Sequence, residues 1–168
     1  MDIGSNPFVK DGWSIKGMIE RDASGGICYR VEKRSGQDVL LSRIWEHPIP
    51  VDEDKIRIIV NEKGGQEAAA LHFRIILDTY VQNLKLQAEM SSCPYLLCPD
   101  EYMAVKQDDL IGWNLYTRTH YCKTLREYLN GPTETEEVIK FGINICTAIE
   151  YCEQTDIGLK YIGLVNLF

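Results

Sequence analysis

The sequence lacks long apolar runs and an excess of positive charge. No apolar segment approaches the roughly 18 to 20 residues that span a bilayer, and the first residues, MDIGSNPFVKDGW, contain no basic segment followed by an apolar one. The 18 Lys and Arg residues are scattered and outnumbered by 25 Asp and Glu, which gives a net charge of -7. Nucleic acids bind clustered cations. We therefore expect a cytoplasmic protein that binds neither a membrane nor a nucleic acid.

Motifs for metal binding and hydrolysis are also missing. The six cysteines fall inside apolar segments and form no CxxC pair. The three histidines, His47, His72 and His120, lie far apart and neighbour no Ser or Cys nucleophile. Free cysteine is among the residue types most often buried. We therefore expect buried free thiols and no metal site.

What is present predicts an α+β fold. Short segments rich in β-branched and aromatic residues, separated by turns, predict an antiparallel meander and then two further strands. A long run of helix formers with apolar residues near the helical period predicts one long helix between them. The strands are expected at residues 13–19, 27–32, 39–45, 101–106 and 111–119, the helix at 66–90, and a loop at 48–65.

Two further helices are expected near the end of the sequence. Leu125 and Leu129 mark a short helix that Gly131 closes. Thr133 followed by Glu136 is a capping-box pattern, so a second long helix should begin near Glu134. Its apolar residues leave only a narrow polar stripe, and such a helix must be covered on more than one side.

This order of elements resembles the small lobe of a eukaryotic-type protein kinase domain, as in bacterial serine/threonine kinases. Residues 27–31 (ICYRV) are similar to the strand after the glycine-rich loop, 111–121 (IGWNLYTRTHY) to the strand that enters the hinge, and 136–152 (EEVIKFGINICTAIEYC) to the helix before the catalytic loop. The resemblance implies a kinase-like small lobe in residues 1–119, with a five-stranded antiparallel sheet and one long helix. Residues 120–168 would supply the hinge, two helices and a degenerate catalytic loop of a truncated large lobe.

The resemblance also shows which parts of the phosphoryl-transfer machinery are altered. In the glycine-rich loop, only Gly26 stands in register. The strand lysine is replaced by Ser42 or Arg43, since a one-residue shift in register changes the face of the sheet. The helix glutamate falls on Asn83, which cannot form the ion pair.

The catalytic loop departs further from the family pattern. Tyr161 stands at the position of the catalytic aspartate, Gly163 at that of the following lysine, and Asn166 is only a vestige of the metal-binding asparagine. The sequence ends at Phe168, before any DFG aspartate. We therefore expect no catalytic residues, no bound metal and no cofactor.

The predicted function is that of a pseudokinase. It would be a catalytically inactive binding or regulatory module, with a protein partner or a second copy docking on the apolar helix at 134–153. The alternative is the front portion of an ATP-dependent serine/threonine kinase or an unorthodox phosphotransferase, and only then would ATP and magnesium bind. A nucleotide would then lie against Gly26, Thr119, His120 and Cys122, with Thr119 at the gatekeeper position and His120 and Cys122 in the hinge.

Overall fold

A computed structural model describes residues 6–23, 25–50, 52–107, 111–123, 131 and 134–155. In these residues the chain forms five strands and four helices. In chain order they are α1 (Pro7–Lys10), β1 (Ser14–Arg21), β2 (Ile27–Ser35), β3 (Asp38–Ile49), α2 (Glu53–Lys63), α3 (Gln66–Glu89), β4 (Glu101–Lys106), β5 (Trp113–His120) and α4 (Thr135–Gln154). The predicted α+β class, the strands and the long helix are confirmed.

The five strands form one antiparallel sheet with the order β1-β2-β3-β5-β4. Short turns join β1 to β2 and β2 to β3, so these strands form a meander, whereas β4 and β5 follow the long helix. In the β3–β5 pair Arg43 lies opposite Thr119 and Ile49 opposite Trp113. Because side chains alternate along a strand, this register assigns each residue to one face of the sheet.

One face of the sheet is covered by residues from the start of the described chain. Phe8 of α1 and Trp13 pack there with Val31, Ile44 and other apolar residues from β2, β3 and β5. Asn6 caps α1, since its Oδ1 accepts a hydrogen bond from the Phe8 amide at 3.0 Å. This cap holds the Phe8 side chain, which is fully buried, over the sheet.

The other face is covered by α3. Ala69, Phe73 and Leu77 recur at helical spacing and pack against Ile49 and Leu115 of the sheet. The same cluster includes partly buried residues of α2, among them Ile59. We call this side of the sheet the α3 face.

The loop predicted for residues 48–65 is wrong, because β3 continues to Ile49 and α2 occupies Glu53–Lys63. Asp52 caps α2, accepting a hydrogen bond from the Lys55 amide at 2.8 Å. Gly64 ends the helix in the left-handed conformation, with a φ of 81°. None of the residues of α2 is fully buried, but Ile56, Ile59 and Val60 are partly buried against the α3 cluster.

The described chain divides into two compact units. The first comprises described residues of 1–88 and 99–121, and the second those of 89–98 and 122–168. In the second unit, Ser92 Oγ and Tyr151 OH share a hydrogen bond of 2.6 Å, which ties α4 to the segment that follows α3.

Helix α4 begins close to the predicted position, whereas the predicted capping box includes a residue outside the described ones. Glu134 is its N-cap, without a side-chain capping bond, and Thr133 lies outside the described residues. The short helix expected at Leu125 and Leu129 also lies outside them. Within α4, Ala148 and Cys152 are buried.

The cysteines are all free thiols. Cys28, Cys93 and Cys152 are buried, as expected, and Cys98 and Cys122 are half-buried. The expectation is wrong for Cys146, which is exposed on α4. Cys146 lies away from the side of α4 that buries Ala148 and Cys152, so an apolar sequence context alone does not predict its burial.

Candidate functional site

The turn between β1 and β2 is closed by the side chain of Asp22. Its Oδ1 accepts a hydrogen bond from the Gly26 amide at 2.7 Å, and the Asp22 amide donates to the Gly26 carbonyl at 2.9 Å. An anion bound at a turn needs backbone amides that point at it. At Gly26 that amide is directed to a carboxylate of the protein itself.

His47 of β3 packs across the same turn. Its ring stacks on Trp45, with centroids 5.4 Å apart and planes 9° from parallel, and its Nδ1 lies 3.8 Å from Asp22 Oδ2. A Cβ atom on residue 26 would lie 2.5 Å from that nitrogen, so the close approach requires glycine. Burial lowers the pKa of His47 below 6.5, and the Asp22 carboxylate opposes this. The ring is therefore mainly neutral at pH 7.

The register of β3 places Arg43, and not Ser42, on the α3 face. Ile49 packs against α3, and residues two apart on a strand share a face. The Arg43 side chain is buried, with its guanidinium carbon 5.1 Å from the centre of the Tyr121 ring. Ser42 is buried on the opposite face, where its Oγ accepts a hydrogen bond from Arg118 at 3.4 Å.

Cys28 shares the α3 face with Arg43, since it pairs with Trp45 across β2 and β3. Burial raises the pKa of Cys28 to about 12, although the nearby Arg43 charge acts in the opposite direction. Only the thiolate form of cysteine is an effective nucleophile. At neutral pH this buried thiol therefore serves as a core residue.

The residues expected around a nucleotide are only partly brought together. Thr119 lies opposite Arg43 and shares its face. His120 lies on the other face, where its Nδ1 is 2.8 Å from Asp100 Oδ2. Cys122 is half-buried and is grouped with the second unit. The sheet thus places Arg43 and Thr119 side by side and directs His120 away from them.

The remaining candidate positions are separate from this cluster. Asn83 is exposed on α3, outside the set of residues that packs on the sheet. Tyr161, Gly163 and Asn166 lie outside the described residues.

A cavity of about 360 Å³ lies between the end of β3, α2 and α3. Its lining is mainly apolar and includes Ile49 and Phe73, while His47 connects it to the Asp22 turn. Sequence reasoning missed this cavity because α2 was expected to be a loop. Asp52, followed by two acidic residues and eventually by Gly64, was the signal for that helix.

Within the described part of the chain, no group of three or more His, Cys, Asp and Glu side chains is arranged to hold a metal ion. None of the helices found there is both long and apolar enough to cross a membrane. No family model matches the sequence, and no curated protein matches it significantly.

Proposed function

We propose that this chain is a catalytically inactive, protein-kinase-like module that acts through protein contacts. Two observations support the kinase-like part of the proposal. The segments 27–31, 111–121 and 136–152 resemble kinase segments. The sheet order β1-β2-β3-β5-β4, with the long helix between β3 and β4 in the chain, agrees with the small-lobe layout that this resemblance implies.

The proposed lack of catalytic activity rests on the hydrogen bond from the Gly26 amide to Asp22, at 2.7 Å. Phosphoryl transfer depends almost entirely on positioning the phosphates and neutralising their charge. In this turn the backbone donor is directed to a carboxylate, and that carboxylate adds negative charge where the phosphates would approach. Both effects oppose nucleotide binding.

One observation favours the alternative, an ATP-dependent kinase or another phosphotransferase. Arg43 places a permanent positive charge on the α3 face, beside Thr119. Its guanidinium lies over the Tyr121 ring, however, and the Arg43 residue is only 3% exposed. A phosphate could reach this cation only if Tyr121 moved.

Titration with magnesium-ATP distinguishes the two functions. We expect the melting temperature of the purified chain to stay constant, and no radioactive phosphate to pass to the chain or to a generic protein substrate. A ligand present at 100 times its Kd would stabilise the fold by about 2.7 kcal/mol, which is easily detected.

The matched variants for this experiment are Arg43→Met and Arg34→Met. Arg34 lies near the other end of the sheet, opposite Val39, and is exposed. If magnesium-ATP stabilises the wild type and the Arg34 variant but not the Arg43 variant, nucleotide binds beside Arg43. That result would contradict the proposed inactivity in favour of the alternative.

The contact surface in this proposal is the exposed apolar side of α4. Val138, Ile139 and Ile143 are 53%, 57% and 59% exposed, respectively. Ile139 and Ile143 are four residues apart and share one side of the helix. Covering them with a protein partner or a second copy would remove this apolar surface from water.

This surface is tested with the double variant Ile139→Glu, Ile143→Glu, with Gln154→Glu as the control at the other end of α4. We expect the wild type to self-associate in light scattering or to bind a hydrophobic dye, and the double variant to lose that behaviour. The control should behave as the wild type. A wild-type monomer that binds no dye would contradict the proposed surface.

A further inference from the structure

We propose that the cavity between β3, α2 and α3 binds a small amphipathic acid, a molecule with an apolar body and a single carboxylate. The cavity belongs entirely to the first unit of the chain. The proposal is therefore independent of the contact surface on α4 and of any kinase-like role.

The inner part of the cavity suits the apolar body of the ligand. Ile49 and Phe73 line it and are almost fully buried, at 6% and 3% exposure, and Ile76 adds a further aliphatic wall. Its volume of about 360 Å³ falls in the lower part of the range typical of small-molecule sites. Empty apolar space forfeits the packing contacts that a ligand can supply.

The charge of the cavity lining suits a ligand that carries an acid group. Lys55 supplies a positive charge to the lining, and none of the described lining residues carries a carboxylate. This local balance contrasts with the net charge of -7 for the whole chain. A carboxylate can pair with the Lys55 ammonium group while the apolar chain contacts the buried apolar lining.

The geometry separates the two ends of such a ligand. Ile58 and Tyr80 are 54% and 50% exposed and form the part of the lining that reaches solvent, and Lys55 is also exposed. Asp22 Oδ2 lies 3.8 Å from His47 Nδ1, so His47 already has a carboxylate of the protein beside it. The ligand carboxylate is therefore assigned to Lys55 at the entrance, with the apolar body against Phe73.

Methyl NMR of the isoleucine side chains tests this assignment, with octanoate as the probe and 1-octanol as its uncharged counterpart. We expect octanoate to shift the methyl signals of Ile49 and Ile76 in a saturable way, and to bind more tightly than 1-octanol. Ile19 of β1, which is 37% exposed and lies outside the cavity lining, serves as the internal control and should not shift. A shift of similar size at Ile19 would indicate nonspecific association and overturn the proposal, as would the absence of any shift.

Substitutions on α2 then test the role of charge. Lys55→Met should weaken octanoate binding by about fivefold, the size expected for an exposed ion pair, and leave 1-octanol binding unchanged. Lys63→Met, at the other end of the same exposed helix, is the matched control and should change neither. Equal binding of the two probes, or an octanoate affinity that Lys55→Met does not reduce, would overturn the proposed acid group. Ile76→Trp, which fills the cavity, should abolish binding of both probes.

Discussion

The two faces of the sheet are closed in different ways. The face away from α3 is packed with aromatic side chains, including Phe8, Trp13 and Tyr116, and the first two come from a short segment at the start of the described chain. The α3 face is mainly aliphatic around Phe73, and it contains the cavity of about 360 Å³. The first face is organised for rigidity, and the second retains space that a ligand can occupy.

The two faces also differ in how far they expose the same type of contact, an arginine that lies over a tryptophan ring and binds an aspartate. On the face away from α3, Arg118 lies 4.9 Å from the Trp13 ring and binds Asp100 at 2.9 Å, with the two ionic side chains 17% and 24% exposed. Arg74 of α3 lies 5.2 Å from the Trp113 ring and binds Asp78 at 2.9 Å, with exposures of 52% and 53%. Nearly equal distances thus occur in very different surroundings. Because the distances are nearly equal, the difference in solvent exposure should determine how much each pair stabilises the fold.

The largest expected effect is the removal of a buried aromatic ring from each face. Phe8→Ala should lower the free energy of unfolding by about 3 to 5 kcal/mol, because the ring is fully buried. Phe73→Ala should cost less, since that ring already borders empty space and loses fewer contacts. Urea denaturation of the two variants measures the difference. Equal losses would show that the two faces are packed equally well.

The arginine pairs provide the next test. Arg118→Met should lower the free energy of unfolding by about 2 to 3 kcal/mol, because it leaves the partly buried Asp100 carboxylate without its main cationic partner. Arg74→Met should change it by less than about 1 kcal/mol, since both partners are half exposed to water. Urea denaturation at low and high salt checks both values, and only the Arg74 pair should be strongly screened. A larger loss for Arg74 than for Arg118 would contradict the contrast.

Most of the fold was predictable from local patterns, and helix α2 is the exception. The long helix α3 repeats apolar residues such as Phe73 and Leu77 at helical spacing, and this pattern reports a buried face directly. Helix α2 has no fully buried residue, and it was expected to be a loop. Its Ile56, Ile59 and Val60 nevertheless recur at helical spacing and pack against the α3 cluster. Together with the end signals Asp52 and Gly64, this spacing identifies the helix.

The candidate site was less predictable because it depends on contacts between segments. The choice between Ser42 and Arg43 requires the register of β3 against β5, where a shift of one residue reverses the faces. The bond from the Gly26 amide to the Asp22 carboxylate also depends on the folded turn, which a local sequence pattern does not show. The cavity depends on α2, which the sequence pattern did not predict.

Enlarging one isoleucine on each face should have opposite and smaller effects. Ile44→Phe should lower the free energy of unfolding by about 1.5 kcal/mol, because Ile44 is fully buried among close-packed neighbours. Ile76→Phe should raise it by about 0.5 to 1 kcal/mol, since the added carbons enter the cavity. Thermal denaturation of both variants measures the signs. If both variants are destabilised, the cavity is too narrow to accept a larger side chain.

The smallest expected effect concerns His47, which joins the cavity to the Asp22 turn. Burial lowers the pKa of His47 below its ordinary value of 6.5, and the Asp22 carboxylate only partly opposes this. The unfolded chain therefore takes up a proton at a higher pH than the folded protein does. The contribution of His47 to stability should be complete above pH 6.5 and should decline as the pH falls from 6.5 toward the lowered pKa.

Urea denaturation across this pH window, for the wild type and His47→Gln, isolates the contribution because glutamine does not titrate. Asn83→Gln, a change at an exposed position that does not titrate, is the control and should keep the wild-type dependence on pH. If the free energy of unfolding of the His47 variant falls on acidification as steeply as that of the wild type, burial of the His47 imidazole does not cause the pH dependence. If the wild type becomes more stable as the pH falls, the attraction to Asp22 at 3.8 Å outweighs burial, and the turn would be held by an ion pair rather than by a neutral ring.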